Sequence, residues 1–241
     1  MRYKCIVSYD GTNYHGFQVQ GHLKTVQEEL EKVLLIINKR KTTVYPAGRT
    51  DAKVHALGQV IHFNTPIIME PFQMKNALNS RLPRDIYVKN VEIVSDDFHA
   101  RFQAKSKTYQ YLMDLGEFDP LKANYRYYYR YNLDTKAMQE ALKLIVGEHD
   151  FKSFTKNHKL SNTQRIINFA RLEIQDSLLT FTINGNGFMH NMVRIIMAML
   201  IEVGKGKISP EQFYAILMAK NRSLAPKTAP ANGLYLVEVI Y

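Results

Sequence analysis

The sequence predicts an α+β fold in which one order of elements, βαββαβ, occurs twice. Three observations lead there: short runs that alternate apolar and polar residues, longer runs with apolar residues three and four apart, and the return of the same order in the second half. At 241 residues, 46% hydrophobic and 22% charged, the chain is long enough for two ordinary domains, each with a core.

The first run, Tyr3 to Tyr9, alternates as a strand and ends at the turn signal Asp10-Gly11. Thr25 opens a helix, with Glu28 placed three residues on to complete a capping box. Val26, Leu30, Val33, Leu34 and Ile37 form its core face. Two strands follow: Thr42 to Tyr45, ended by Pro46, and Gln59 to Phe63, ended by Asn64 and Pro66. Pro71 begins a helix through Leu78, and Ile86 to Val91 is the next strand. In the second half Thr108 to Leu112 reads as a strand. Asp134 caps a helix with Met138, Ala141, Leu142 and Ile145 inside, stopped by Gly147. Strands at Ile166–Ile174 and Leu178–Ile183 join through Gln175-Asp176-Ser177. A helix from about His190 to Val203 closes at Gly204, Ser209 caps an extra helix, and Leu234 to Ile240 is the last strand.

The polar stretch Gln103 to Ser106 divides the chain into expected domains 1–104 and 105–241. Two tandem βαββαβ units, each with an antiparallel sheet, are the RRM-like or ferredoxin-like arrangement used twice, with an active-site cleft expected between them.

Charge and composition narrow the function. Thirty-two Lys and Arg against 22 Asp and Glu give a net charge of +10, which favours a polyanionic partner, nucleic acid first. Trp is absent, but 15 tyrosines offer rings that stack on bases and hydroxyls that donate hydrogen bonds. No apolar run reaches the ~18 residues of a membrane span; Met192 to Val203 is broken by Arg194 and Glu202. Cys5 has no second cysteine to pair with, and the N-terminus begins directly as a strand, so the expected compartment is the cytoplasm.

Two residues stand out chemically. Residues 48–56 read Gly-Arg-Thr-Asp-Ala-Lys-Val-His-Ala, placing Asp51 in a small-residue loop with Arg49 and Lys53 two positions either side. Such an aspartate is either a turn residue or a carboxylate presented at fixed geometry. Arg49, Lys53 and His55 are the neighbouring candidates for substrate contact. Arg194 lies in a helix apolar on nearly every side, so its guanidinium must meet a carboxylate such as Asp51, helix-end carbonyls or a ligand phosphate, or else snorkel to solvent. Tyr109 and Tyr111 share one face of a strand after two lysines, fit either for sheet packing or for stacking on a base. The run Tyr125 to Tyr131 interleaves aromatics and cations with the same two readings. His55, His99, His149, His158 and His190 show no metal-ligand spacing, and no Walker sequence, dinucleotide loop or serine elbow is present. What remains is cofactor-free chemistry centred on one carboxylate.

At these residues the sequence resembles the tRNA pseudouridine synthase A family. The matching pieces are Tyr9 to Gln20 with Thr25-Val26-Gln27, Gly48 to Ala52, Phe98 to Phe102, Lys107 to Tyr111, Gly147 to Phe151, Arg165-Ile166, Gly187-Phe188-Met189 with Met192-Val193-Arg194, and Ala229-Pro230 to Leu234. The resemblance implies isomerisation of uridine to pseudouridine in the tRNA anticodon stem-loop, at positions 38, 39 and 40. It carries the essential aspartate onto Asp51, the active-site tyrosine onto Tyr109 and the partnering arginine onto Arg194. It associates Arg49 with drawing the target nucleotide out of the stack. It further implies a homodimer that holds tRNA across both subunits, with no metal or organic cofactor. The family loop usually has Gly where this chain has Lys53. If that position needs positive φ, lysine carries about 1 kcal/mol of strain. A non-catalytic RNA-binding protein on the same scaffold is the alternative from a different class.

Overall fold

The computed structural model describes residues 1–157 and 160–241, and His158 lies outside them. Among the described residues the chain has five α-helices in a mixed α+β fold. None of them is long and apolar enough to cross a membrane. The chain divides into two compact units: Met1–Lys105 with Tyr235–Tyr241, and Ser106–Leu234.

In the first unit the order is β1 (Arg2–Tyr9), α1 (Val26–Asn38), β2 (Tyr45–Pro46), β3 (His55–Asn64), α2 (Pro71–Asn79) and β4 (Ile86–Val94). β1 buries every second residue, Tyr3, Cys5, Val7 and Tyr9, as alternation dictates for a strand with one covered face. It pairs antiparallel with β3 on one side and β4 on the other. The outer edge of β3 is shared: β2 takes its far end, Tyr45 opposite His62, and β10 (Leu234–Ile240) pairs parallel with its start, Tyr235 opposite His55. The last strand, grouped with residues 105–241 in sequence, therefore pairs in the first unit. β2 is only two residues long and includes Pro46, which needs no N–H at an edge.

In α1 two features differ from expectation. Thr25 accepts from the Glu28 N–H at 3.3 Å, but Glu28 reaches Lys32 at 2.9 Å, so the reciprocal half of the capping box does not form. On α1 the fourth buried turn is polar. Asn38 is buried, bridging Thr42 Oγ1 (2.8 Å) and Thr65 Oγ1 (2.6 Å), while Ile37 is half-exposed. A buried amide is tolerated there because both its ends are hydrogen-bonded.

The second unit contains β5 (Ser106–Asp114), β6 (Tyr127–Tyr128), α3 (Thr135–Lys143), β7 (Gly147–Asp150), β8 (Gln164–Gln175), β9 (Leu178–Gly185), α4 (Met192–Gly204) and α5 (Pro210–Met218). Its strands lie in the order β5-β9-β8-β7, all antiparallel, with β6 alongside β5. Asp134 and Ser209 cap α3 and α5 as their sequences predict, Ser209 with a complete capping box. Gly147 does not end α3, which stops at Lys143; its φ of +104° instead starts β7, too short to show alternation. Phe151, Phe154, Phe181 and Phe213 fill the core.

One buried group in the first unit has a pH consequence. His62 lies beneath Tyr45, ring centroids 5.0 Å apart, and its Nδ1 accepts the Ala100 N–H at 3.2 Å. Burial, reinforced by His99 and Arg2, pulls its pKa from 6.5 down to about 4. Between those values the unfolded chain holds the proton and the folded one does not, so folding is favoured above pH 6.5 and this contribution is lost as pH falls through about 4. The thermal midpoint should therefore drop more steeply over that window in the wild type than in His62→Gln. Equal slopes would show that His62 does not couple protonation to folding.

Candidate active site

Asp51 sits at the turn of a loop that is fastened from below. Residues 47–54 connect β2 to β3: Arg49 is exposed, Thr50 buried, Asp51 half-buried, and Ala52 and Lys53 exposed. Thr50 Oγ1 shares a 2.7 Å hydrogen bond with the Tyr9 hydroxyl at the end of β1. That hydroxyl is buried, and burial pushes its pKa up to about 12 despite the Thr50 and Gln59 hydrogen bonds. Gln59, buried in β3, donates to the Gly48 carbonyl at 2.7 Å. The base of the loop is thus held by side chains of two strands.

The segment after β1 closes over the other side. Phe17 N–H donates to the Thr50 carbonyl (3.1 Å) and Lys53 N–H to the Tyr14 carbonyl (3.2 Å), so residues 9–17 and 50–53 are joined backbone to backbone. Contact this close depends on missing β-carbons. A Cβ on Gly11 would lie 2.1 Å from the Val54 carbonyl oxygen, and one on Gly16 would lie 2.7 Å from the Thr50 carbonyl oxygen. Gly16 also has φ +93°. Tyr14 anchors the segment from its far side through a 2.5 Å hydrogen bond to Asp85.

Lys53 adopts φ +64°, the left-handed conformation that the glycine expected at this position would hold without strain. The cost for lysine is about 1–2 kcal/mol. Glycine would lose roughly 0.5–1 kcal/mol to the greater freedom of its unfolded chain, which offsets much of the gain.

His55 is buried at the start of β3. It is 2% exposed, stacks on Tyr235 at 4.7 Å, and its Nδ1 lies 3.1 Å from the Gly11 N–H and 3.2 Å from Asp10 Oδ1. These contacts tie residues 10–11 to the start of β3.

In the second unit Tyr109 is 7% exposed on β5, opposite Ile183 of β9, with the Phe188 ring edge-on at 5.1 Å. Tyr111 faces the same way and donates to the Pro230 carbonyl at 2.8 Å; burial raises its pKa. Arg194 is the one residue from Met192 to Ile201 that is not buried. Its Nε donates to the Ala229 carbonyl and its Nη1 to Asn191 Oδ1, both at 2.8 Å, while Ala229 N–H donates back to the Arg194 carbonyl at 3.1 Å. These two contacts come from uncharged oxygens, one on Ala229 in the segment 225–230 and one on the residue preceding α4. Of the run Tyr125 to Tyr131, only Tyr127 and Tyr128 are strand, and Arg126 pairs with Asp114 at 3.0 Å. The loop residues Arg49, Asp51 and Lys53 thus belong to one unit, and Tyr109 and Arg194 to the other.

Sequence reasoning from the loop alone missed Tyr9, Gly11, Gly16 and Gln59, which hold the loop in place. The available signal was Tyr9 to Gln20, where two glycines stand among otherwise bulky or polar residues.

Comparison with known proteins gives these residues a context. A family model described as tRNA pseudouridine synthase matches residues 5–103 and 141–241. A tRNA pseudouridine synthase A from Geobacillus sp. (strain WCH70) is 48% identical over all of this chain and 98% of that protein. One from Streptococcus pyogenes serotype M49 is 46% identical over all of this chain and 99% of that protein. Among solved structures, a chain in a Cbf5-Nop10-Gar1 complex aligns with 82% of this chain and 54% of its own, at 12% identity and a TM-score of 0.35, too low to carry weight.

The packing at Gly16 and the backbone at Lys53 make opposite expectations for two substitutions. Gly16→Ala should destabilise the first unit by about 2 kcal/mol or more, from its left-handed strain and its clash with a backbone carbonyl. Lys53→Gly should change stability by less than about 1 kcal/mol. Denaturant unfolding of the two variants checks both. A harmless Gly16→Ala would mean that residues 9–17 do not pack on the loop as described. With the matched family and the full-length relatives beside this geometry, the chain belongs to the tRNA pseudouridine synthase family, a family of isomerases.

Proposed function

We propose that this protein isomerises uridine to pseudouridine in the anticodon stem-loop of tRNA, at positions 38, 39 and 40, with Asp51 as the essential carboxylate. The observation that carries the reading is the fastening of the Asp51 turn. Tyr9, Gln59 and the backbone of residues 14–17 restrain residues 48–53, so the carboxylate is offered from a fixed turn. Together with family membership and a net charge of +10, this favours chemistry on RNA over the non-catalytic alternative.

The reaction is an isomerisation, so atoms balance within the nucleotide. The target base leaves the helix, an unstacking that costs a few kcal/mol and is offset by pocket contacts. The N1–C1′ bond breaks while the Asp51 carboxylate acts at the glycosidic centre. The detached uracil turns, C5 bonds to C1′, and the C5 proton leaves as N1 gains one. Tyr109 packs against the base or assists that proton transfer, and Arg194 is the cationic partner of Asp51. Arg49 and Lys53, exposed on the loop, contact the RNA, Arg49 by drawing the nucleotide out; His55, buried against residues 10–11, contributes to substrate binding from beneath the surface. The working form is a cytoplasmic homodimer that binds tRNA across both subunits and needs no metal or organic cofactor.

Undermodified tRNA treated with the purified protein and mapped by carbodiimide primer extension tests this directly. Product is expected at positions 38 to 40 with the wild type and none with Asp51→Ala. Absence of product from folded wild type refutes the reaction, and product from Asp51→Ala refutes the assigned carboxylate alone. Arg194→Lys should fold but lose about a hundredfold in kcat, because an ammonium cannot donate along the same fork of directions. Unchanged kcat would remove Arg194 from the machinery.

A further inference from the structure

A second aromatic feature of the first unit remains outside this chemistry. Tyr45, His62 and His99 form a contiguous set of rings: Tyr45 stacks on His62 at 5.0 Å, and His99 meets His62 at 4.6 Å and Tyr45 at 5.9 Å. Phe102 extends the set, its ring 4.2 Å from His99 and tilted by only 33°. Its outer members are open to solvent, Phe102 at 75% exposure and Tyr45 at 46%. Arg101 places its guanidinium 5.7 Å from the Phe102 ring centroid.

The turn that carries Phe102 is tied down on several sides. Arg2 donates to the Phe98 carbonyl (2.7 Å), Tyr241 to the Ala100 carbonyl (2.7 Å), and Ala100 N–H to His62. Gln103 N–H donates to the His99 carbonyl (3.1 Å), its side-chain oxygen accepts the His99 N–H (3.3 Å), and its amide donates to the Asp97 carbonyl (3.3 Å). The turn thus holds the Phe102 ring in place with most of its surface open. Stacked rings with an open face and a guanidinium alongside suit a nucleobase with its phosphate.

We propose that Tyr45, His99, Arg101 and Phe102 form a second RNA-binding site, which takes an unstacked base of the RNA substrate away from the target uridine. The proposal rests on the reading of RNA as substrate. His62, beneath the set, and His55, next to the Asp51 loop, lie seven residues apart on β3, or ~23 Å at strand rise. The base held here is therefore not the one being isomerised. Its role is to fix the register of the RNA on the protein. Arg101 supplies the charge complementarity to a phosphate, on a chain whose net charge is +10.

The chain has no tryptophan, so Phe102→Trp introduces its one indole at the site, excited selectively at wavelengths that the tyrosines do not absorb. Titration of this variant with tRNA should quench its emission, with the midpoint of the binding curve. Phe102→Ala should bind tRNA roughly tenfold more weakly, with KM raised and kcat at saturating tRNA unchanged. Both variants should keep the wild-type thermal midpoint, since the ring is exposed. Unchanged emission at saturating tRNA, or unchanged affinity in Phe102→Ala, overturns the proposal. Emission that shifts with protein concentration in the absence of RNA also overturns it, marking the surface as a protein contact. Pseudouridine formation by the wild type is measured in parallel. Active wild type with a silent tryptophan refutes this site alone, whereas inactive wild type with a quenched one refutes the reaction and supports the site.

Discussion

Two missing β-carbons set how closely the chain after β1 approaches the backbone that carries Asp51, and much of the first unit is organised around that approach. Any side chain at Gly11 or Gly16 would drive its first carbon into a backbone carbonyl of the loop, which has no rotamer by which to yield. With glycine there, Phe17 N–H reaches Thr50 and Lys53 N–H reaches Tyr14, and the turn gains backbone partners on the side where it would otherwise face solvent. Tyr9 and Gln59 complete the fastening from the strands beneath. A carboxylate that acts at a glycosidic carbon needs this kind of support, because freedom of the turn would have to be removed at each encounter with substrate.

The same constraint explains why an unfavourable backbone survives at Lys53. Its left-handed conformation follows from a turn pinned on both sides, through the N–H of Lys53 and the carbonyl and hydroxyl of Thr50. Strain of about 1 kcal/mol is small against the hydrogen bonds and packing that impose it. Arg194 is arranged by comparable means within the second unit. A carbonyl and an amide oxygen help to set the direction of its guanidinium.

Legibility in the sequence differed by physical cause. Alternation in β1, the caps at Thr25, Asp134 and Ser209, and the core faces of α1 and α3 were readable because each depends on residues close in the chain. The pairing of β10 with β3 was not, since nothing local to Leu234–Ile240 names its partner. β7 is too short for a period to show, and Asn38 displaced Ile37 from the core because two distant threonines satisfy it. At the site, the spacing of Arg49, Asp51 and Lys53 marked the loop. Of its supports, Gly11 and Gly16 leave a trace in Tyr9 to Gln20, whereas the roles of Tyr9 and Gln59 depend on strands paired at a distance. The φ of +64° at Lys53 answers the condition that the family's glycine raises at that position.

The central claim is that Asp51 stands on a turn as firmly held as the strands around it. Amide hydrogen exchange of the unliganded protein measures this most directly, at the N–H groups of Phe17 and Lys53. Protection close to that of the β1–β3 ladder is the result expected from these hydrogen bonds. Exchange at the rate of an open loop would contradict it and would make the turn a feature that forms only when RNA arrives.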